Sequence, residues 1–213
     1  MKQIIVIVAF LVGAIGFSQE SKKAEALLNE VYNKVSTYKN ISIDFKYVLE
    51  NTSENIKQET RGDVTMQDEK YVLNILGVTR LFDGKKLYTI SPEDEEVTIS
   101  SDSSDDENTI TPSQMMSFYK DGYTYNMDIM QDVKGRKIQF VKLNPIDTNS
   151  EIKEVYLGID AKTKHIYRLI EIGKNGTKTT LTVNSFKTNE PISKTLFTFD
   201  ESKYKDYYIN KLD

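Results

Sequence analysis

From Asn40 almost to the C-terminus, apolar and polar residues alternate at every second position, and a period of two admits little besides β-strands. In the first run Ile41, Ile43, Phe45, Tyr47 and Leu49 take turns with Ser42, Asp44, Lys46, Val48 and Glu50. Such a strand has one buried and one wet face. The pattern returns at residues 61–67, which carry Val64 and Met66, and again at Tyr71, Leu73 and Ile75. Residues 78–82 lead through Asp83-Gly84-Lys85 to 87–90 and 97–99. Residues 123–129 and 137–143 flank Lys134-Gly135, a hairpin signal, and 152–159, 165–172 and 177–186 follow. Ten or eleven strands joined by hairpin-length connections predict one antiparallel, strongly curved sheet or barrel.

Two stretches carry a helical period instead. Ala24, Leu27, Leu28, Val31, Tyr32 and Val35 form the stripe of an amphipathic helix over residues 21–35, with Lys22, Lys23, Glu25, Glu30 and Lys34 on its other side. Thr111-Pro112 offers an N-cap and a proline at the first helical position. Residues 113–120 then read as a short helix bearing Met115, Met116, Phe118 and Tyr119. It follows an acidic, solvated loop at 101–108 that contains Asp102, Asp105, Asp106 and Glu107. A methionine-rich helix between strands, after such a loop, sits where a lid would. The Lys- and Tyr-rich tail, 201–213, fits a last strand or a frayed end equally.

Ahead of the helix, Lys2 is followed by an uncharged apolar run at residues 4–17 and by Gly16-Phe17-Ser18. That is the three-part layout of a secretory signal peptide, cleaved near Ser18 or Gln19. The run is shorter than the ~20 residues a membrane span needs. It is followed by no cysteine for lipid attachment. The expectation is a soluble periplasmic protein whose mature part, residues 20–213, is a single domain.

Composition removes most chemistry. The 213 residues contain no Cys, no Trp and one His, which excludes disulfides, thiolate nucleophiles and cysteine-type zinc sites. A net charge of −4 supplies no basic field, so nucleic acid is not an expected partner. His165 lies in a polar turn, and no phosphate loop or nucleophile elbow is present. The acidic loop lacks the spacing and central glycine of an EF-hand. Asn51-Thr-Ser53 and Asn175-Gly-Thr177 read as ordinary turns. What survives is a binding protein or a carboxylate enzyme. Carboxylate pairs meet only in space and the sequence singles none out, so the expectation is a non-enzymatic protein with no cofactor and no metal.

A curved sheet needs something to cover its apolar inner face. If the two helices pack fully over it, the interior is a core. If the cover is partial, it is a cavity for acyl chains, and burying about fifteen methylenes is worth roughly 12 kcal/mol at ~0.8 kcal/mol each. Such a carrier requires no catalytic residue.

Arg61-Gly62-Asp63-Val64, Lys70-Tyr71-Val72-Leu73, and Leu81-Phe82-Asp83-Gly84-Lys85-Lys86-Leu87-Tyr88 with Pro92 resemble the outer-membrane lipoprotein carrier family, LolA. The later strands at 154–159 and 165–172, and Leu196-Phe197-Thr198-Phe199, extend the resemblance over nearly the whole mature chain. It implies an open, incomplete β-barrel covered by the N-terminal helix and a short lid helix. It also implies a periplasmic chaperone that takes acylated lipoproteins from an inner-membrane lipoprotein-releasing ABC transporter to an outer-membrane acceptor. On matching positions Tyr71, Leu73 and Ile75 would line the acyl cavity, with Leu87 and Tyr88 close by, and Met115, Met116 and Phe118 would form the lid. Strand alternation adds Ile43, Phe45 and Tyr47 to the lining. The protein is expected to act as a monomer. The alternative on the same scaffold is a periplasmic lipid- or lipoprotein-binding or sensor domain that transports nothing.

The sequence departs from the family at one informative place. The family carries an Arg-Pro after the Gly-acidic strand, and that arginine bonds the lid. Here the stretch reads Gln67-Asp68-Glu69. Arg61 and Arg80 are the nearest arginines, and neither matches the motif.

Overall fold

The computed structural model describes residues 2–101 and 111–212, with side chains from residue 19 onward. Helix α1 (Lys2–Val35) leads into six strands: β1 (Ile41–Asn51), β2 (Ile56–Gln67), β3 (Lys70–Ile75), β4 (Val78–Phe82), β5 (Leu87–Ser91) and β6 (Glu96–Ser100). Helix α2 (Pro112–Met115) and a 3-10 turn at Phe118–Lys120 separate these from β7 (Tyr123–Val133), β8 (Arg136–Pro145), β9 (Ile152–Asp160), β10 (Ile166–Gly173) and β11 (Lys178–Thr188). A second 3-10 turn, Glu201–Tyr204, precedes β12 (Tyr208–Leu212). The strands form one sheet in the order β12-β6-β5-β4-β3-β2-β1-β11-β10-β9-β8-β7. Its two end strands do not pair, so the sheet is open.

Three sequence expectations are corrected in detail. The tail resolves as a twelfth strand, and β12 pairs β6 in parallel rather than antiparallel. The long connection from β11 returns the chain beside β6 in the same direction, which no hairpin does. Strand β2 begins at Ile56, five residues before the apolar signal starts, because its first part is exposed and polar. There Glu59 is joined to Lys46 of β1 at 2.7 Å. The helix expected over residues 113–120 is not continuous. α2 is one turn with a Thr111–Gln114 capping box, and its last amides, Met116 and Ser117, bond three residues back to Ser113 and Gln114. That tightening ends the helix before Phe118. The acidic stretch 102–108 lies outside the described residues.

The chain divides into two units, one of Met1–Ser36, Glu50–Ile56 and Tyr119–Thr180, the other of Thr37–Leu49, Lys57–Phe118 and Leu181–Asp213. In the first, α1 buries Ala24, Leu27, Leu28 and Val31 and packs against β7. Val141 and Leu143 of β8 pair with Leu157 and Val155 of β9, and all four are fully buried on one face. On the other face Ile138, Phe140 and Tyr167 make a smaller cluster. Gly158 makes that cluster possible, since a Cβ there would meet the Phe140 ring at 2.9 Å. Asn51 is buried, its amide donating to Thr177 Oγ1 at 3.0 Å while its oxygen caps the turn through Ser53. Both sequon-like triplets are thus turn elements.

In the second unit the register of β2 to β6 fixes two faces, because directly opposed residues share a side. One face carries the rows Met66–Tyr71–Phe82–Leu87–Ser100 and Val64–Leu73–Arg80–Thr89–Thr98. The other carries Val72–Leu81–Tyr88–Ile99 and Ile90–Val97. On β5 and β6 the buried side chains Ile90, Val97 and Ile99 belong to this second face, where Tyr88, Phe199, Tyr204, Tyr207 and Ile209 cover them. On β1 to β3 the buried side chains are Ile41, Ile43, Phe45, Val64, Met66 and Tyr71. For β2 and β3 these lie on the first face, where Leu87 of β5 and Ser100 of β6 are buried too, so β5 and β6 bury side chains on both faces.

Candidate functional site

The first face of β1 to β3 forms an apolar wall. Phe45 lies against Gly62: a Cβ at Gly62 would stand 2.7 Å from the ring, so the glycine of the Arg61-Gly62-Asp63-Val64 motif is the gap into which the ring fits. Ser42 meets Thr65 at 3.0 Å on the opposite side. By alternation this places Ile43, Phe45 and Tyr47 on the same face as Val64 and Met66. Seven of the eight lining residues read from the sequence thus share one face: Ile43, Phe45, Tyr47, Tyr71, Leu73, Ile75 and Leu87. Of these, Leu73, Ile75 and Tyr47 are half-buried and the other four are buried. Val64 and Met66 belong with them, directly opposite Leu73 and Tyr71. Their alternation with Asp63 and Thr65 is the signal that assigns them.

Tyr88 does not join this wall. It follows Leu87 on β5 and therefore points to the other side. There its ring stacks on Phe199 at 4.4 Å between centroids, and its hydroxyl donates to Asp83 Oδ2 at 3.2 Å. The Asp83-Gly84-Lys85 turn is held by the same carboxylate, which accepts from the amides of Lys85 and Lys86 at 2.8 Å each. Gly84 adopts φ +95°, a conformation that favours glycine. Burial pushes the Asp83 carboxyl up, but the amides of Lys86 and Lys85, the Tyr88 hydroxyl and the charge of Lys70 outweigh it and hold the pKa below the usual carboxylate value. Two motifs of the resemblance, the Asp-Gly-Lys turn and the terminal Phe-x-Phe, therefore meet in one structural staple.

At its β3–β4 end the wall opens into a cleft of about 760 Å³. Phe45, Ile75, Leu76 and Val78 supply its apolar lining, and Asp44, Arg61, Asp63 and Asn74 its polar rim. The volume is in the range of small-molecule and cofactor sites. Leu76 is 65% exposed at the hairpin tip and holds φ +54°. α2 packs against β3, and Met115, Met116 and Phe118 are half-buried in or just after that helix.

The first unit holds a smaller cavity of about 200 Å³ beside Glu151, Glu171, Asn175 and Thr177. Glu171 pairs with Val155 and so stands, half-buried, on the same face as the buried Val155 and Leu157. Burial pushes its carboxyl above the ordinary 4.5. When both states are ionised, the folded one bears the desolvation cost, and that cost fades as pH falls through the raised pKa toward 4.5. Glu171→Gln is therefore expected to stabilise the protein at neutral pH and to have progressively less benefit in acid. Urea melts of both proteins across pH check this, and a gain that grows in acid would contradict it.

The open twelve-stranded sheet preceded by an N-terminal helix is a fold of the lipoprotein-carrier type. Residues 78–200 match the model of the family "Outer membrane lipoprotein carrier protein LolA", and the chain belongs to that family. No curated protein matches the sequence. Among solved structures, an uncharacterized conserved protein of Thermus thermophilus is 10% identical, with TM-score 0.56 over 89% of this chain and 99% of that one. The lipoprotein LppX of Mycobacterium tuberculosis is 13% identical, with TM-score 0.48 over 81% and 98%. A LolA superfamily protein of Nitrosomonas europaea is 11% identical, with TM-score 0.43 over 83% and 98%.

Proposed function

We propose that this chain is an exported, non-enzymatic carrier that receives the acyl chains of lipoproteins and shuttles them from the inner to the outer membrane. The observation that carries the reading is the apolar wall of β1 to β3, whose Phe45 and half-buried Ile75 line an open cleft. Family membership supports the same ligand class. Residues 1–18 act as the export signal, and residues 20–213 are the working protein in the periplasm. Tyr71, Leu73, Ile75 and Leu87 contact the chains, with Ile43, Phe45 and Tyr47 beside them. Met115, Met116 and Phe118 close over them. An inner-membrane lipoprotein-releasing transporter supplies the cargo and an outer-membrane acceptor takes it.

Native mass spectrometry of the mature protein, with a triacylated lipopeptide and with the same peptide unacylated, tests the first step. One-to-one binding that depends on the acyl chains is expected. Leu73→Glu places a carboxylate on the apolar wall, where it is either costly or protonated, and should weaken that binding about tenfold or more. Equal uptake by the variant would remove the wall from the site, and absence of acyl-dependent binding would overturn the carrier reading.

A further inference from the structure

One row of the first face breaks the apolar wall. Arg80 lies directly between Leu73 of β3 and Thr89 of β5, so its side chain leaves the sheet on the same side as Val64, Leu73 and Tyr71. Along β4 its neighbours on that side are Val78 and Phe82. Arg80 is half-buried, yet among the described residues its guanidinium has no hydrogen bond and no ion pair, nor has the Thr89 hydroxyl beside it. Farther along this face, Glu96 is engaged elsewhere, accepting from Thr98 at 3.1 Å and from Asn210 at 3.3 Å. A guanidinium carries five donors and its charge at any physiological pH. Beside the apolar Leu73 and Phe82, a charged fork of this kind binds an anionic oxygen more strongly than a neutral acceptor.

We propose that Arg80 and Thr89 together fix the head of the acyl ligand by donating to a negatively charged oxygen next to the chains. Resting on the acyl-binding reading above, this adds a preference: the protein selects acyl ligands with an acidic head over otherwise identical neutral ones. The guanidinium accepts the charge, the threonine hydroxyl supplies a second donor, and the hydrocarbon runs back across Leu73 toward Val64 and Tyr71. The acidic group comes either from a free fatty acid or from the peptide that follows the acylated residue of a lipoprotein.

Displacement of a fluorescent fatty acid from the mature protein tests it with two competitor pairs. One pair is hexadecanoic acid against hexadecanol. The other is a triacylated lipopeptide whose first residues are acidic against one with serines there. The wild type should prefer the acidic member about tenfold, the worth of one charge-assisted hydrogen-bonded contact. Arg80→Gln should abolish the preference while leaving affinity for the neutral member within about twofold, and Arg80→Lys should retain part of it. Preference in the first pair alone identifies a fatty acid head, and in the second alone a lipoprotein head. An equal preference in wild type and Arg80→Gln overturns the role of Arg80 while acyl binding stands. Failure of the wild type to bind either member of both pairs overturns the acyl reading and this inference with it.

Discussion

Gly62→Ala should cost about 3 kcal/mol of stability, at the upper end of overpacking substitutions, although it adds a single methyl group. The new Cβ would stand 2.5 Å from the carbonyl oxygen of Asn74 and 2.7 and 2.9 Å from the Phe45 ring. The ring can rotate away, at the expense of its own burial. The Asn74 carbonyl cannot, because it belongs to the backbone of β3, paired to β2 on both sides of the contact. The loss therefore contains a part that no side-chain change removes. Gly62→Ala combined with Phe45→Leu should recover only the ring's share, and the remainder should persist. Urea midpoints of the wild type, both single variants and the double variant measure this. A Gly62→Ala midpoint equal to wild type would mean that β2 and β3 shift apart freely here.

Phe199→Ala should be the second large effect, about 3 kcal/mol, because a Phe-to-Ala truncation is joined by the loss of two ring contacts. The ring is sandwiched between Tyr88 at 4.4 Å and Tyr204 at 5.3 Å, and Tyr204 meets Tyr207 edge-on at 5.3 Å. These rings cover Ile90, Val97 and Ile99. They also hold the segment that delivers β12 to β6, where Tyr208 donates its amide to the Glu95 carbonyl at 2.8 Å. Removing the central ring should free the tail before the rest unfolds. Hydrogen exchange should accelerate first in β12 and in its partner β6, and a protease should cut near residue 200 while the remainder stays intact. Exchange that rises uniformly across the sheet would show that the staple is no separate unit.

The same contacts explain why Tyr88 is misplaced by sequence reasoning. Leu87 and Tyr88 are both apolar and adjacent, so alternation alone says that they face opposite ways but not which way is inward. On β1 to β3 the inward side is legible, because Ser42, Asp44 and Lys46 mark the wet face and Ile43 and Phe45 the dry one. On β4 to β6 both sides carry apolar residues, and the tail chooses between them by packing its aromatic rings on one. Arg80 is obscure for a related reason. A lone arginine in a strand reads as surface until its cross-strand neighbours, Leu73 and Thr89, are known.

Local chemistry determined the strands, the amphipathic helix at residues 21–35, the Thr111 cap and the Asp83-Gly84-Lys85 turn, since each rests on periodicity or on hydrogen bonds within a few residues. It also determined the absence of thiol and disulfide chemistry, since the sequence holds no cysteine. Only the tertiary structure decided that β12 runs parallel to β6, which face of each strand is buried, and which side chains share the wall. Those outcomes depend on pairings between segments far apart in sequence, whose register a period of two leaves open.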